Sequence, residues 1–311
     1  MVRDGDGTTI AEILKRARED VRAVQEGRVF VGRVRVGDAA HRVKVGDEVK
    51  IGADATPRAV RATTSAAPEW SVLWERDGLL ACHKPAGIPT VADHVGASHA
   101  LVALAAERTG RMAAEMFVTS RLDREVSGVV VFATTSEAES RLRLAREKGR
   151  YARRYVAIAA ATGLAGDVSS GTWEEPIGGG KDPRHRAAGG PDAKPAQTRW
   201  RVVARAGGFA MLAVAPQTGR THQIRVHASH AGAPLFGDRD YGGATRITLA
   251  SGGVVALARI ALHAARVTVP GASGDPLVAD APIPLELSRL WAELGGEPEA
   301  WNTAVSCELD T

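Results

Sequence analysis

The stretch SRLDREVSGVVVFATT, residues 120–135, sets a polar turn directly against an apolar run. Asp123 stands between Arg121 and Arg124, and from Gly128 the chain reads Val-Val-Val-Phe-Ala. A short continuous apolar run rich in β-branched residues predicts a strand buried on both faces. A carboxylate at the mouth of such a strand is costly unless it is paired. Sequence neighbours on an extended segment point to opposite sides, so a cation from elsewhere in the chain is expected to meet it.

Outward from this strand the pattern is mixed. Upstream, WSVLWERDGLLACHKPAG predicts two short strands around Asp77–Gly78 and a Lys-Pro loop, and ASHALVALAAERTGR predicts a helix. Downstream, Ser136 with Glu139 forms a capping-box pattern opening a helix that runs to Gly149. RYVAIAAA predicts a strand, and PIGGGKDPRHRAAGGPDAKPAQT a long basic loop. TRWRVVARAGGFAMLAVAP predicts a hairpin turning at Gly207–Gly208. TGRTHQIRVHASHAG predicts a helix closed by Gly232, and IALHAARVTVP a late strand. Without regular βαβ alternation, the expected class is α+β, a mixed and largely antiparallel sheet flanked by helices and loops that form a cleft.

Residues 1–55 predict a small separate α/β module. TTIAEILKRA has helical periodicity, and DVRAVQEG a second short helix ended by Gly27. RVFVGRVRVGD and HRVKVGDEVKI alternate as half-buried strands, turning at Gly32, Gly37 and Gly46–Asp47. Their exposed faces carry Arg28, Arg33, Arg35, Arg42 and Lys44. Residues 56–69 read as a linker, 70–295 as the main domain, and 296–311 as a C-terminal tail.

With 311 residues, 44% of them apolar, the chain has material for a sizeable core. Net charge is +4 and the isoelectric point about 9.3, which suits a nucleic-acid partner. The charge is concentrated: in residues 141–154, seven of fourteen are Lys or Arg and one is acidic. Two distant cysteines, Cys82 and Cys307, give neither a disulfide framework nor a Cys-based zinc site, and a reducing cytoplasm is the expected compartment. The first ten residues hold no apolar signal core, and no segment approaches the ~20 apolar residues of a membrane helix.

The other segment with chemical content is APQTGRTHQIRVHASHAGAPLFGDRDYGG, residues 215–243. Here a strand turns through Thr-Gly-Arg into a helix bearing Thr221, His222, Gln223, Arg225 and His227. Strand-to-helix turns offer backbone N–H groups and a positive dipole end to phosphate. Gln and Arg within one turn of that end suit a carboxylate or a base edge. A metal held by His222, His227 and His230 is a rival reading, weakened because no acidic or Cys ligand shares their helical spacing. A purely structural amphipathic helix is another.

Taken together, these blocks resemble the RluA-like branch of the pseudouridine synthases. SRLDREVSG is similar to that family's His-Arg-Leu-Asp-Arg-Asp/Glu-Thr-Ser-Gly motif, with Ser120 for the His and Val126 for the Thr. TGRTHQIRVH matches a second block without departure. HKPAG resembles Asn-Lys-Pro-Ala-Gly with His83 for Asn, and RRYVAI, AKPAQT and ALHAARV resemble three more. All six occur in the family's order across residues 70–290. The N-terminal module is similar to the αL RNA-binding motif domain, with TTIAEIL where that domain usually begins Arg-Leu-Asp.

The resemblance implies an isomerase that breaks the bond between uracil N1 and ribose C1′ and rejoins the base through C5. The product is an isomer, so no cofactor or metal is required. Asp123 is implied as the reactive carboxylate, serving either as nucleophile or as base toward a sugar proton, and Arg225 as the cation that keeps it ionised. Tyr155 is implied to stack on a flipped uracil and to help move the C5 proton. Arg121 is placed to fill the gap left by the flipped base. Lys84, Arg124, Arg220 and residues 141–154 are expected to meet RNA phosphates, with His222 and Gln223 supporting them. The expected partner is RNA, ribosomal rather than transfer RNA, bound by a monomer. The alternative is a catalytically silent RNA-binding protein or RNA chaperone on the same scaffold.

Overall fold

The structure is a computed structural model. It describes residues 2, 8–17, 22–25, 29–32, 34–36, 38–51, 69–92, 98–164, 169–249 and 252–309. Gly27, Arg28, Arg33, Gly37 and nearly all of the expected linker lie outside the described residues. The chain divides into two compact units, Met1–Pro57 and Arg58–Thr311.

In the first unit, α1 (Ile10–Arg16) starts at Thr9, whose hydroxyl accepts from Glu12 N while the Glu12 carboxylate accepts from Thr9 N. That reciprocal cap satisfies two N–H groups the helix cannot bond internally. A one-turn helix, α2 (Arg22–Gln25), follows. Strands β1 (Val29–Val31), β2 (Val34–Arg35) and β3 (Val49–Ile51) form an antiparallel sheet in the order β2-β1-β3. Ile10, Leu14, Val24, Val29, Val36 and Val43 form its core. The alternation in HRVKVGDEVKI ends in a strand of three residues only. Before it the chain turns, Asp47 Oδ2 accepting from Lys44 N at 2.8 Å. Arg42 and Lys44 are exposed, as their alternation predicted.

The second unit is built on a ten-stranded sheet. In chain order its elements are β4 (Ser71–Arg76), β5 (Leu79–Lys84), α3 (Leu101–Arg108), β6 (Phe117–Val118), β7 (Ser127–Ala133), α4 (Ser136–Glu147), β8 (Ala152–Ala160) and β9 (Ser170–Trp173). The small strands β10 (Ile177–Gly179) and β11 (Arg186–Ala188) come next, then β12 (Thr198–Ala206), β13 (Phe209–Pro216) and α5 (Gln223–His230). The chain ends with β14 (Arg246–Thr248), β15 (Val254–Ala256), β16 (Leu262–Pro270), β17 (Pro276–Asp280), α6 (Leu285–Glu293) and α7 (Glu299–Ser306). The sheet order is β4-β5-β7-β16-β8-β13-β12-β9, with β17 beside β16 and β6 beside β7. β10 pairs with β11 and β14 with β15 as separate two-stranded sheets.

Every residue of β7 is buried, as its continuous apolar run predicted. β7 also makes the sheet's parallel joint, pairing Ser127 with His263 and Gly128 with Ala264 of β16. Gly128 has φ +127°, and a Cβ there would lie 2.2 Å from the Ala264 carbonyl oxygen, so no side chain fits. The hairpin of β12 and β13 turns at Gly207 and Gly208, both with positive φ, as a two-residue turn matched to strand twist requires. One face of the sheet buries Phe132, Ala157, Leu212 and Val214 with α3 and α5. The other buries Val156, Ile158 and Met211 beneath α6 and α7, and Val129 and Val131 against α4.

Three expectations are corrected. The cap of α4 is Thr135, whose hydroxyl accepts from Ala138 N at 3.2 Å, and Ser136 is already helical. The long basic loop contains the β10–β11 hairpin. The segment read as a tail carries α7, whose Ala300, Trp301 and Ala304 are buried.

Candidate active site

Asp123 sits in the loop entering β7, and that loop is fixed by its backbone. Thr90 Oγ1 donates to Leu122 O at 2.9 Å and accepts from Leu122 N at 3.0 Å. Gly87 N donates to Arg124 O at 2.8 Å, and Val126 N to Asp123 O at 3.1 Å. Leu122 and Val126 anchor in the core on either side. Lys84 completes the arrangement. Its ammonium donates to Pro85 O, Ile88 O and Arg124 O at 3.0, 2.8 and 3.2 Å. The side chain is fully buried, which pushes its pKa down to about 7. With all three donors spent on carbonyls, Lys84 does not meet phosphate. It staples the Lys-Pro loop to the Asp123 loop, correcting the expected RNA contact.

Arg225, on the first turn of α5, joins the two halves of the site. Its Nη1 donates to Asp123 Oδ2 at 3.0 Å. Nε and Nη2 grip the fully buried Asp238 carboxylate as a fork, both at 2.8 Å, and Nη2 also reaches Asp240 at 2.9 Å. Burial works against the Arg225 charge, but the bonds and charges of Asp238 and Asp123 outweigh it and hold the group above its ordinary range. The Tyr241 ring lies under the guanidinium, 4.8 Å from centroid to Cζ, a cation–π contact. The Tyr241 hydroxyl accepts from Arg186 N at 2.9 Å and shares a hydrogen bond with His222 Nδ1 at 2.8 Å. His222 Nε2 lies 3.9 Å from Asp123 Oδ2. Burial, more than the neighbouring carboxylates can offset, pushes His222 below its usual pKa, so the ring is neutral at pH 7.

Gln223 is a scaffold residue, 4% exposed. Its Oε1 accepts from Thr218 Oγ1 and Arg220 N, and its Nε2 donates to Gln197 O and Thr198 Oγ1. The Thr198 proton then serves His227 Nδ1 at 2.9 Å, and His227 Nε2–H donates to Glu175 O at 2.9 Å. Both His227 nitrogens are thus committed, which removes it from the metal set considered from sequence. Gln223 shapes the turn that presents Arg220 rather than touching RNA.

These groups open into a cleft of about 1120 Å³, lined by Asp123, Tyr155, His222, Arg225 and a border of arginines: Arg121, Arg124, Arg146, Arg153, Arg154, Arg220 and Arg266. Tyr155 stands on β8 between Ala264 and Val214, 7% exposed. Burial pushes its phenol up, so it stays protonated. Arg121 and Arg220 are exposed at the cleft, and Arg220 Nε donates to Pro195 O at 2.9 Å. Arg124 is half-buried, its Nη1 3.4 Å from Gly87 O.

The departures from the motifs have local roles. Ser120 Oγ lies 3.1 Å from Tyr151 OH; Tyr151 also carries Arg146 on its ring at 4.5 Å. Val126 fills the core, and His83 packs edge-on to His263 with its Nε2 buried and unpartnered. Sequence reading passed over Asp238, Asp240 and Tyr241. Residues 232–243 are rich in Gly and Asp, but nothing in the spacing of Asp238 from Arg225 marks a buried fork.

A family model described as RNA pseudouridylate synthase matches residues 78–230, the span that holds Asp123, Tyr155 and Arg225. The chain is 34% identical over 279 residues to the ribosomal large subunit pseudouridine synthase D of Xanthomonas campestris pv. campestris, covering 81% of this chain and 82% of that one. It is 33% identical over 257 residues to the RNA pseudouridine synthase YhcT of Bacillus subtilis, covering 80% and 79%. Among solved structures, human RNA pseudouridylate synthase domain containing 1 shares the fold with a TM-score of 0.59 at 22% identity, over 79% of this chain and 98% of that one.

Proposed function

The chain belongs to the RNA pseudouridylate synthase family and is an RNA pseudouridine synthase, and from that premise we propose that Asp123 is its catalytic carboxylate, acting on uridines of structured ribosomal RNA. The observation that carries this reading is the 3.0 Å contact between Asp123 Oδ2 and Arg225 Nη1 at the floor of an arginine-bordered cleft.

The chemistry needs one ionised carboxylate facing the sugar of a flipped uridine. Arg225, locked by Asp238, supplies a fixed counter-charge, and His222 Nε2 lies 3.9 Å from the same carboxylate. Asp123 either adds to C1′ as the N1–C1′ bond breaks and is displaced when C5 bonds to C1′, or removes a sugar proton as uracil departs from C1′ and returns it when C5 adds; in both cases the C5 proton leaves and N1 ends protonated, so the product is an isomer. Tyr155, protonated at the cleft wall, stacks on the detached uracil and relays that proton. Arg121 occupies the place of the flipped base, and Arg124 and Arg220 take phosphates. The names of the relatives favour ribosomal over transfer RNA. Exposed Arg42, Lys44 and Lys50 on the first unit suit the RNA backbone. The silent-scaffold alternative is not favoured, because the Asp123–Arg225 pair is intact.

The test is a transcriptome-wide pseudouridine map of the host with the gene deleted, then restored as wild type or as Asp123→Asn. One or a few sites should vanish on deletion and return with wild type only. Sites that return with Asp123→Asn remove Asp123 from the chemistry. Sites that prove to lie in transfer RNA remove the ribosomal assignment.

A further inference from the structure

Successive side chains of a strand point to opposite faces, and the start of β8 uses both. Tyr155 packs with Ala157 and Val214 on the face of α5. Arg154 alternates to the other face, shared with Val156 and α7. The cleft continues past this boundary: its lining includes Arg153 and Tyr155, and also Arg154, Arg266, Val305 and Leu309. Arg266, opposite Arg154 in register, spends its fork on Asp280 at 2.6 and 3.1 Å. Arg154 is different. Its Nη1 is buried without a hydrogen-bond partner, and a buried donor left unpaired is unfavourable until a ligand supplies the acceptor. Burial, with Arg266 and Arg201 adding like charge, pushes the guanidinium below its ordinary range, and Cys307 and Glu308 oppose that only in part. A planar cation that lines a cleft and has an unpaired donor matches an anionic oxygen.

We propose that Arg154 holds a backbone phosphate of the RNA, so that the substrate passes over the start of β8 from the face of Asp123 to the face of α7. This rests on the proposed function for its ligand. It adds a second contact site, remote from the reacting uridine, whose far wall is the C-terminal segment at Val305 and Leu309. The charge of Glu308 favours the Arg154 cation, so it competes with the phosphate.

The experiment measures binding of deproteinised large-subunit ribosomal RNA to the full chain as a function of salt. Arg154→Gln should bind about five-fold more weakly near 0.15 M salt, with a log–log salt slope shallower by about one, because one phosphate contact releases about one counterion. Arg154→Lys should retain the slope, and the loss in Arg154→Gln should fall on KM more than on kcat. Glu308→Gln should tighten binding with an unchanged thermal midpoint. Unchanged affinity and slope in Arg154→Gln overturn the proposal. A lowered midpoint with unchanged binding in Glu308→Gln also overturns it, making Arg154 the partner of Glu308 in the fold. If the wild-type protein forms no pseudouridine in that RNA, the ribosomal assignment fails, while the salt slopes still decide the Arg154 contact.

Discussion

Arg225 meets three carboxylates in different surroundings, and the contacts differ in weight. Asp238 is fully buried, whereas Asp240 is 48% exposed. Removing one partner of a buried pair strands the other charge and costs about 3–5 kcal/mol, while an exposed pair contributes about 0–1 kcal/mol. Asp238→Ala should therefore lower urea stability several-fold more than Asp240→Ala; equal losses would refute the fork as the anchor of Arg225. A second residue-scale prediction concerns pH. Ser127 Oγ accepts from Arg259 Nη2 and meets His263 Nδ1 at 2.7 Å, while His263 Nε2 faces the Ala281 carbonyl at 3.4 Å; burial pushes the His263 pKa down to about 3, so it is neutral. Between that value and the ~6.5 of an unfolded histidine, the unfolded chain binds the extra proton. Stability present above pH 6.5 is therefore lost as pH falls toward 3, by about 1.4 kcal/mol per unit. Urea titrations at pH 7, 6, 5 and 4 should show a shallower decline for His263→Asn than for wild type, and parallel curves would refute it. At this scale the sequence named the Asp123–Arg225 pair through its motifs. It misassigned Lys84, because a long cationic side chain beside Pro looks the same whether it faces RNA or three carbonyls.

Elements were legible where periodicity or continuity was strong. β7, β8, the β12–β13 hairpin and β16 all lie where apolar pattern placed them, since burial dictates residue type there. The β10–β11 hairpin was hidden because its strands are only three residues long and rich in Gly and Ala. α7 was hidden because its buried stripe is short. The α4 cap was displaced by one residue, since Thr135 and Ser136 are both good caps and only geometry separates them. Thr135→Ala should cost about 1 kcal/mol, and Ser136→Ala little, by urea midpoint; the reverse order would restore the sequence assignment. Gly128→Ala is predicted to abolish the β7–β16 joint, because the added methyl meets the Ala264 carbonyl at 2.2 Å and backbone cannot yield. A soluble, cooperatively folding Gly128→Ala protein would contradict this.

At the scale of the whole molecule, the order of six motif blocks announced the family, and the α+β class followed from irregular alternation. What no pattern announced is how the middle of the sheet is joined: among the described residues, a parallel contact between strands whose hydrogen-bonded residues, Ser127 and His263, are 136 positions apart. The packing beneath α7 was equally unannounced, and Trp301→Ala should cost about 3–5 kcal/mol by the cavity it leaves; a loss below 1 kcal/mol would show that residues after 296 are dispensable to the fold. The parallel joint also sets a clock. At synthesis rates of about 5–20 residues per second, the ribosome finishes β7 roughly 7–30 s before β16 exists. Through that interval the nascent chain carries its carboxylate loop and a strand destined for burial without its β16 partner, so a newborn molecule is exposed to misassociation until β16 has been translated.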